Sequence, residues 1–286
     1  MTLATSVYRE VVYGGHLLAL GTASIASTVA IMIGKVPAWD LLLMAYLFTL
    51  GAYSINRASD FEEDRMSHPE RTAHLEGRRR ALPYISLVAF AVGYLLAFQR
   101  NLLFFSGLIV PLVLAIVYSV ASERMKKIVG ISRLKEGLLV KNVVISFGWS
   151  LIPLLVGLYY AELPVSIFLF SPFIFLRLMV NTVFFDERDL TADSSNGIKT
   201  LPVWLGVANA GKVMDLMDVV SCVYLVALVW SGGLPGLVLG LALFTPYSVG
   251  YRYYSRKSIK HRDSLRDLAA DGEYLLWGVV TSIGHL

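Results

Sequence analysis

The chain has 286 residues, 56% of them hydrophobic and 16% charged, with a mean hydropathy of +0.63. Soluble domains carry roughly 25% charged residues, so a soluble globular fold is excluded and an integral membrane protein is indicated. A net charge of +4 over such a chain orients spans and meets anionic lipid rather than nucleic acid, and the lone Cys222 excludes an intrachain disulfide.

Apolar runs of about 20 residues, the length that crosses a bilayer as a helix, fall in chain order at 11–34, 39–55, 81–98, 102–121, 138–157, 164–185, 213–230, 234–251 and 272–286. The expected fold is therefore an all-α integral membrane protein of nine transmembrane helices. The runs are continuous rather than alternating, which rules out a β-barrel. The first run follows Arg9 and Glu10 and has no small-residue cleavage site, so it reads as a span and not a signal peptide. The last is short enough to need a thinned bilayer or help from residues before it.

Lysine and arginine test this count. Arg9 precedes the first span, and apart from Lys141 at the start of span five and Arg177 inside span six, the segments after spans two, four, six and eight hold all the rest except Lys35 and Arg100. The positive-inside rule then places the N-terminus and these even connections in the cytoplasm of a cell-membrane protein.

The second span runs directly into Asn56, Asp60 and Asp64, one amide and two carboxylates at four-residue spacing. If the helix continues, they share a face about one turn apart, and a column of hard oxygens suits a divalent cation, Mg²⁺ above all where a phosphate is held as well. The sixth span runs likewise into Asp189 and Asp193, 129 residues after Asp60 and Asp64 and at the same four-residue spacing. One such run reads as the solvated end of a helix; two, at equivalent places and in the same register, point to facing columns that hold two Mg²⁺ ions bridged to one diphosphate. The equivalence also predicts a single domain built as an internal repeat, roughly 11–135 and 138–260, plus a ninth helix around a central cavity, with cytoplasmic cap loops at 56–80 and 186–212.

The pattern Asn56-x3-Asp60-x3-Asp64 with Arg71-Thr72, and Asp189-x3-Asp193 followed by Gly197-Ile198-Lys199-Thr200-Leu201-Pro202, resembles the UbiA superfamily of intramembrane prenyltransferases over nearly the whole chain. The resemblance implies Mg²⁺-dependent transfer of a prenyl group from an allylic prenyl diphosphate to a lipophilic acceptor. It implies that Asn56, Asp60 and Asp64 form one metal-diphosphate motif and Asp189 and Asp193 the other, with Asp186 assisting as a further metal or water ligand. Two departures bear on the acceptor. Where archaeal-lipid branches run on into Arg-Pro-x-Pro-Ser-Gly, this chain has Arg71-Thr72-Ala73-His74-Leu75-Glu76-Gly77; and Phe185 stands where the hydroxybenzoate branch has tyrosine.

A departing diphosphate needs positive charge already in place. Arg71 and Lys199 occupy family-like positions for this; Tyr118, Arg124, Lys126, Lys127, Lys141 and Asn142 flank the gap between spans four and five as further diphosphate contacts, although a positive-inside cluster and an aromatic belt explain several of them equally. Arg177 lies inside the sixth apolar run, where a charge is costly. With Asn181, Phe185, Asp189 and Asp193 it forms a four-residue column and is expected to reach the acceptor, orient a motif carboxylate, or make a structural ion pair. The five histidines have no zinc spacing, no Gly-rich nucleotide loop occurs, and Gly14, Gly15 and Gly148 read as helix-packing positions.

The expected function is prenyl transfer to an aromatic quinone precursor. The alternatives are ether-lipid prenylation of the digeranylgeranylglyceryl phosphate synthase type, with a glycerol phosphate acceptor, a terpene cyclase of the same fold, and a non-enzymatic cation transporter or channel.

Overall fold

The computed structural model describes residues 3–119, 139–195, 197–257 and 266–285, and they contain helices and turns but no strand. The elements are α1 Leu3–Tyr13, α2 His16–Met32, α3 Trp39–Ser59, α4 Phe61–Ser67, α5 Pro69–Leu75, α6 Leu82–Arg100, α7 Leu102–Gly107, α8 Ile109–Ser119, α9 Val140–Ser150, α10 Ile152–Tyr160, α11 Val165–Ser195, α12 Leu201–Trp230, α13 Phe244–Lys257 and α14 Asp271–His285. A 3₁₀ stretch Gly236–Leu243 precedes α13, and a π-helical turn Arg266–Ala270 precedes α14.

Five helical stretches are long and apolar enough to cross a membrane among the described residues, and six if the bent pair α1 and α2 counts as one. Large apolar side chains such as Leu87, Leu95, Phe98, Leu216, Val223 and Ile283 remain exposed, as lipid-facing positions do. Between the helices, van der Waals packing replaces the hydrophobic effect, since lipid tails are as apolar as leucine. The α2 and α14 pair shows this: a Cβ on Gly278 would lie 2.4 Å from Ser24 Oγ, and Gly278 N–H donates to that oxygen over 2.9 Å. Phe170, Phe173, Tyr274 and Trp277 fill the centre beside Met44 and Phe48.

Several predicted spans are interrupted. The first breaks at Gly14–Gly15, where α1 meets α2 at 61°, so Val11 to Tyr13 belong to α1 and the continuous helix begins at His16. The fourth and fifth break at Leu108 and Leu151. The eighth is not one α-helix: Pro235 opens a 3₁₀ stretch and Pro246, lacking an N–H, sits in the first turn of α13. Both expected cap loops are largely helical. Residues 56–80 fold as the end of α3, α4, α5 and a short 3₁₀ turn, while 186–212 is the last part of α11 and the first part of α12. Polarity marked these stretches as loops, but partly buried charges pair there and leave the backbone free to stay helical.

Candidate active site

Two cavities meet end to end inside the bundle. One, of about 270 Å³, is apolar, walled by α3 from Leu41 to Asn56, by α2, by Phe90, Phe104, Leu108 and Leu114, and by α9 and α10 from Val144 to Val156. At about 1.5 Å rise per helical residue, its α3 wall is roughly 22 Å long. The other, of about 250 Å³, is lined by charged groups from α3, α4, α5, α9, α11 and the start of α14. Leu18, Tyr53, Asn56, Tyr118, Ile145 and Trp149 line both.

The first wall of the polar compartment grows out of α3. The helix ends at Ser59, Asp60 sits in the junction, and α4 starts at Phe61, so the column bends. The i to i−4 bonds nevertheless carry on, from Asp60 N–H to Asn56 C=O (2.9 Å) and from Asp64 N–H to Asp60 C=O (2.8 Å), which keeps all three side chains on the cavity. Asp64 accepts from Arg57 and Arg71, each over 2.9 Å. Burial by itself would raise this carboxyl; the charges of Arg57 and Arg71 outweigh it and hold Asp64 below the usual carboxylate range. Burial, with Arg57 nearby, pulls Arg71 down to about 10, so it stays protonated at neutral pH. Asn56 Oδ1 accepts from Ser119 Oγ (3.4 Å).

The α11 wall faces it. Asp189 lies 3.2 Å from Arg188 Nε and 3.1 Å from His68 Nε2, which tethers α11 to the turn between α4 and α5. Burial drives the His68 imidazole down to about 3, so this contact is a hydrogen bond from a neutral ring. Asp193 is buried and lies 3.9 Å from Lys141 Nζ. Asn181 lines the compartment and donates to Ala270 C=O (3.1 Å).

Asp186, expected as an auxiliary metal ligand, is fully buried, absent from the cavity lining, and bound by Lys141 Nζ and Asn142 Nδ2, each over 2.7 Å. Its partner Lys141 does line the cavity. Lys199 is exposed, and its neighbour Ile198 lines the compartment instead. Arg177 points away: it pairs with Asp218 and Glu273 and donates to Phe244 C=O (3.0 Å), inside a buried network that includes Arg252. A four-residue step overshoots a helical turn by about 40°, so four steps from Arg177 to Asp193 accumulate to about 160°; the apparent column winds around α11. Arg124, Lys126 and Lys127 lie outside the described residues.

Sequence reading missed Tyr53, Arg57, His68, Arg188, Asp267 and Asp271, all of which line the polar compartment. Arg57 adjoins Asn56 and Arg188 adjoins Asp189, so both were hidden as helix-end charges. Asp267 and Asp271 repeat the four-residue acidic spacing at the foot of the last helix, a signal that a search for two matched motifs passes over.

No group of three or more His, Cys, Asp or Glu side chains converges as a ready-made metal cluster among the described residues. The donor set still fits Mg²⁺ chemically, because Asn56, Asp60, Asp64, Asp189 and Asp193 bring hard oxygens to the same compartment. The segment that departs from the Arg-Pro-x-Pro pattern is helical, with Thr72 N–H bonded to His68 C=O over 3.0 Å. Proline at 72 would remove that bond.

The UbiA prenyltransferase family model matches residues 17–270. A digeranylgeranylglyceryl phosphate synthase of Methanothermobacter thermautotrophicus is 29% identical over 224 residues, covering 75% of this chain and 75% of that protein. The enzyme of the same name from Thermococcus kodakarensis is 27% identical over 184 residues, 64% of this chain and 62% of its own length. Among solved structures, a UbiA homologue from Archaeoglobus fulgidus bound to GPP and Mg²⁺ shares the fold, with a TM-score of 0.67 and 16% identity over 96% of this chain and 99% of that one.

Proposed function

The chain belongs to the UbiA prenyltransferase family, and on that footing we propose how its two compartments divide the transfer between them. It is an integral membrane prenyltransferase. The donor is a prenyl diphosphate whose hydrocarbon tail lies in the apolar compartment and whose diphosphate lies in the polar one. One observation carries this reading: a largely apolar cavity opens into an ionic one through six shared residues, the shape of an amphiphile with an anionic head.

Mg²⁺, when bound, supplies Lewis-acid charge to the departing diphosphate; Asn56, Asp60, Asp64, Asp189 and Asp193 would hold it, and two columns suit two ions. The rest of the work falls to the chain. Arg57, Arg71, Arg188 and Lys141 put four fixed cations around the head compartment, and such preorganised charge favours the leaving group. Tyr53, Tyr118 and Trp149 line the junction where the allylic carbon would ionise, and each π-face stabilises a nearby cation by about 0.5–2 kcal/mol. Helices α4 and α5 roof the compartment and exclude the water that would quench the cation. Positive-inside charge supports a cytoplasmic polar end, and the opposed Asn56–Asp64 and Asn181–Asp193 walls support the nine-span plan of two four-helix repeats and a ninth helix.

For the acceptor we favour a glycerol phosphate ether lipid. The relatives named above are digeranylgeranylglyceryl phosphate synthases, while the aromatic quinone precursor finds no comparable support. The test is purified protein with Mg²⁺, labelled prenyl diphosphate, and either geranylgeranylglyceryl phosphate or an aromatic quinone precursor. The expected result is an ether product, reduced about 100-fold or more in Asp60→Asn and Asp193→Asn. Wild-type turnover in those variants sinks the carboxylate assignment, and exclusive prenylation of the aromatic compound sinks the acceptor. A product formed with no acceptor present indicates a cyclase; ion flux in liposomes without diphosphate release indicates a channel.

A further inference from the structure

We propose that Asp271 accepts the proton that the acceptor loses during transfer. This rests on the prenyl-transfer reading and adds a residue that neither aspartate motif contains.

The placement of the two cavities makes the case. The apolar compartment is lined by α2, α3, α6, α7, α8, α9 and α10, and by no residue of α11, of the turn Arg266–Ala270, or of α14. A donor whose tail fills it therefore arrives from the α3 and α8 side. The polar compartment has a further wall, made by Tyr13, Leu178, Asn181, Asp267 and Asp271, which the tail never touches. A second substrate approaching the allylic carbon has this side left to it.

Four carboxylates of the polar compartment are locked to cations. Asp64 meets Arg57 and Arg71, Asp189 meets Arg188, Asp193 meets Lys141, and Asp267 meets Arg188 over 2.6 Å. Asp271 lines the same compartment as Asn181, whose amide donates to the adjoining Ala270 C=O, and no cation among the described residues lies at ion-pair distance from it. The charged and polar groups around it are Asp267 from its own segment, Tyr274 from its own helix, Arg188 and Asn181 from α11, and Arg57 from α3. A carboxylate locked to a guanidinium is a poor proton acceptor. One with no cation beside it, and with an acidic neighbour, is a better one.

In the step itself, the bond between the allylic carbon and the diphosphate oxygen breaks and its electron pair leaves with the diphosphate. A lone pair of the acceptor hydroxyl forms the new carbon–oxygen bond. The hydroxyl proton passes to the Asp271 carboxylate and leaves with water as product departs. Asn181 is a positioning residue in this scheme, fixing the backbone at Ala270 next to Asp271.

The experiment compares wild type, Asp271→Asn, Asp271→Glu and Asp64→Asn, reading single-turnover transfer to geranylgeranylglyceryl phosphate against pH and, separately, Mg²⁺-dependent binding of a prenyl thiodiphosphate. Asp271→Asn is expected to bind the analogue within about threefold of wild type, to transfer about 100-fold more slowly or worse, and to lose the acid limb along which the wild-type rate falls. Asp271→Glu is expected to recover at least a tenth of the rate with that limb restored, which also decides the matter if the asparagine variant folds poorly. Transfer by Asp271→Asn within threefold of wild type, survival of its acid limb, loss of analogue binding as in Asp64→Asn, or failure of glutamate to recover activity each overturns the assignment. Should wild type itself form no prenylated product, the transferase reading fails first, and the two failures are told apart.

Discussion

Glu10 shows how far a surface carboxylate can be held by its neighbours. It accepts two hydrogen bonds from Arg78, each over 2.7 Å, and contacts His74 over 3.1 Å, which ties α1 to the segment after α5. The Arg78 hydrogen bonds outweigh burial and bring its pKa from 4.5 to about 2. The unfolded chain therefore binds this proton first as pH falls, so the stabilisation is complete above about 4.5 and is lost as pH drops toward 2. Thermal melting in detergent should find Glu10→Gln less stable than wild type at pH 7, with the gap narrowing at pH 3. A gap that stays constant would mean that charge is not what holds this contact. In the head compartment the same pairing logic applies to Arg57, which donates to Asp64 and to Tyr53 Oη (2.7 Å) while stacking 4.2 Å from the Tyr53 ring centroid.

Among the elements, the break between α1 and α2 has a consequence for that same tyrosine. Gly15 adopts φ +85°, and a Cβ there would lie 2.4 Å from the Tyr53 ring. Alanine would suffer both the left-handed backbone and a clash with the residue that carries Arg57. Gly15→Ala is expected to cost about 1–3 kcal/mol, read as a lower melting temperature, and to weaken prenyl diphosphate binding. Unchanged binding would separate Tyr53 from the head compartment. In the sequence, Gly14–Gly15 reads as a packing site, because a glycine pair signals small size without saying which dihedral it serves.

Over the whole molecule, the bundle joins a buried ionic network to a hollow centre. Arg177, Asp218, Arg252 and Glu273 pin α11, α12, α13 and α14 together away from the cavity. Arg177→Met leaves Glu273 without a cation, while Asp218 keeps Arg252, and is expected to cost about 3–5 kcal/mol, lowering the melting temperature while the folded fraction keeps its KM for donor. A raised KM with unchanged melting would return Arg177 to the site. On the cavity side, Gly148 lines the apolar compartment and a Cβ there meets nothing within 4 Å. Gly148→Leu should fold and shorten the space for the tail, and competition assays should show long prenyl donors losing to short ones by about tenfold. An unaltered preference would place the tail elsewhere.

What the sequence determined by itself was the membrane class, the all-helical fold and the two acidic stretches, because hydropathy and four-residue spacing act along the chain and need no knowledge of neighbours. The tertiary structure decided which of those charges meet. A helical period of 3.6 sets the angle of each side chain but not the helix it faces, so Arg177 looked continuous with Asp193 and turned away. Asp186, in line with the motif along the chain, bonds to Lys141 and Asn142 outside the cavity lining. Asp267 and Asp271 came from the far end of the chain to close the compartment, through packing of α2 against α14 that no local pattern encodes.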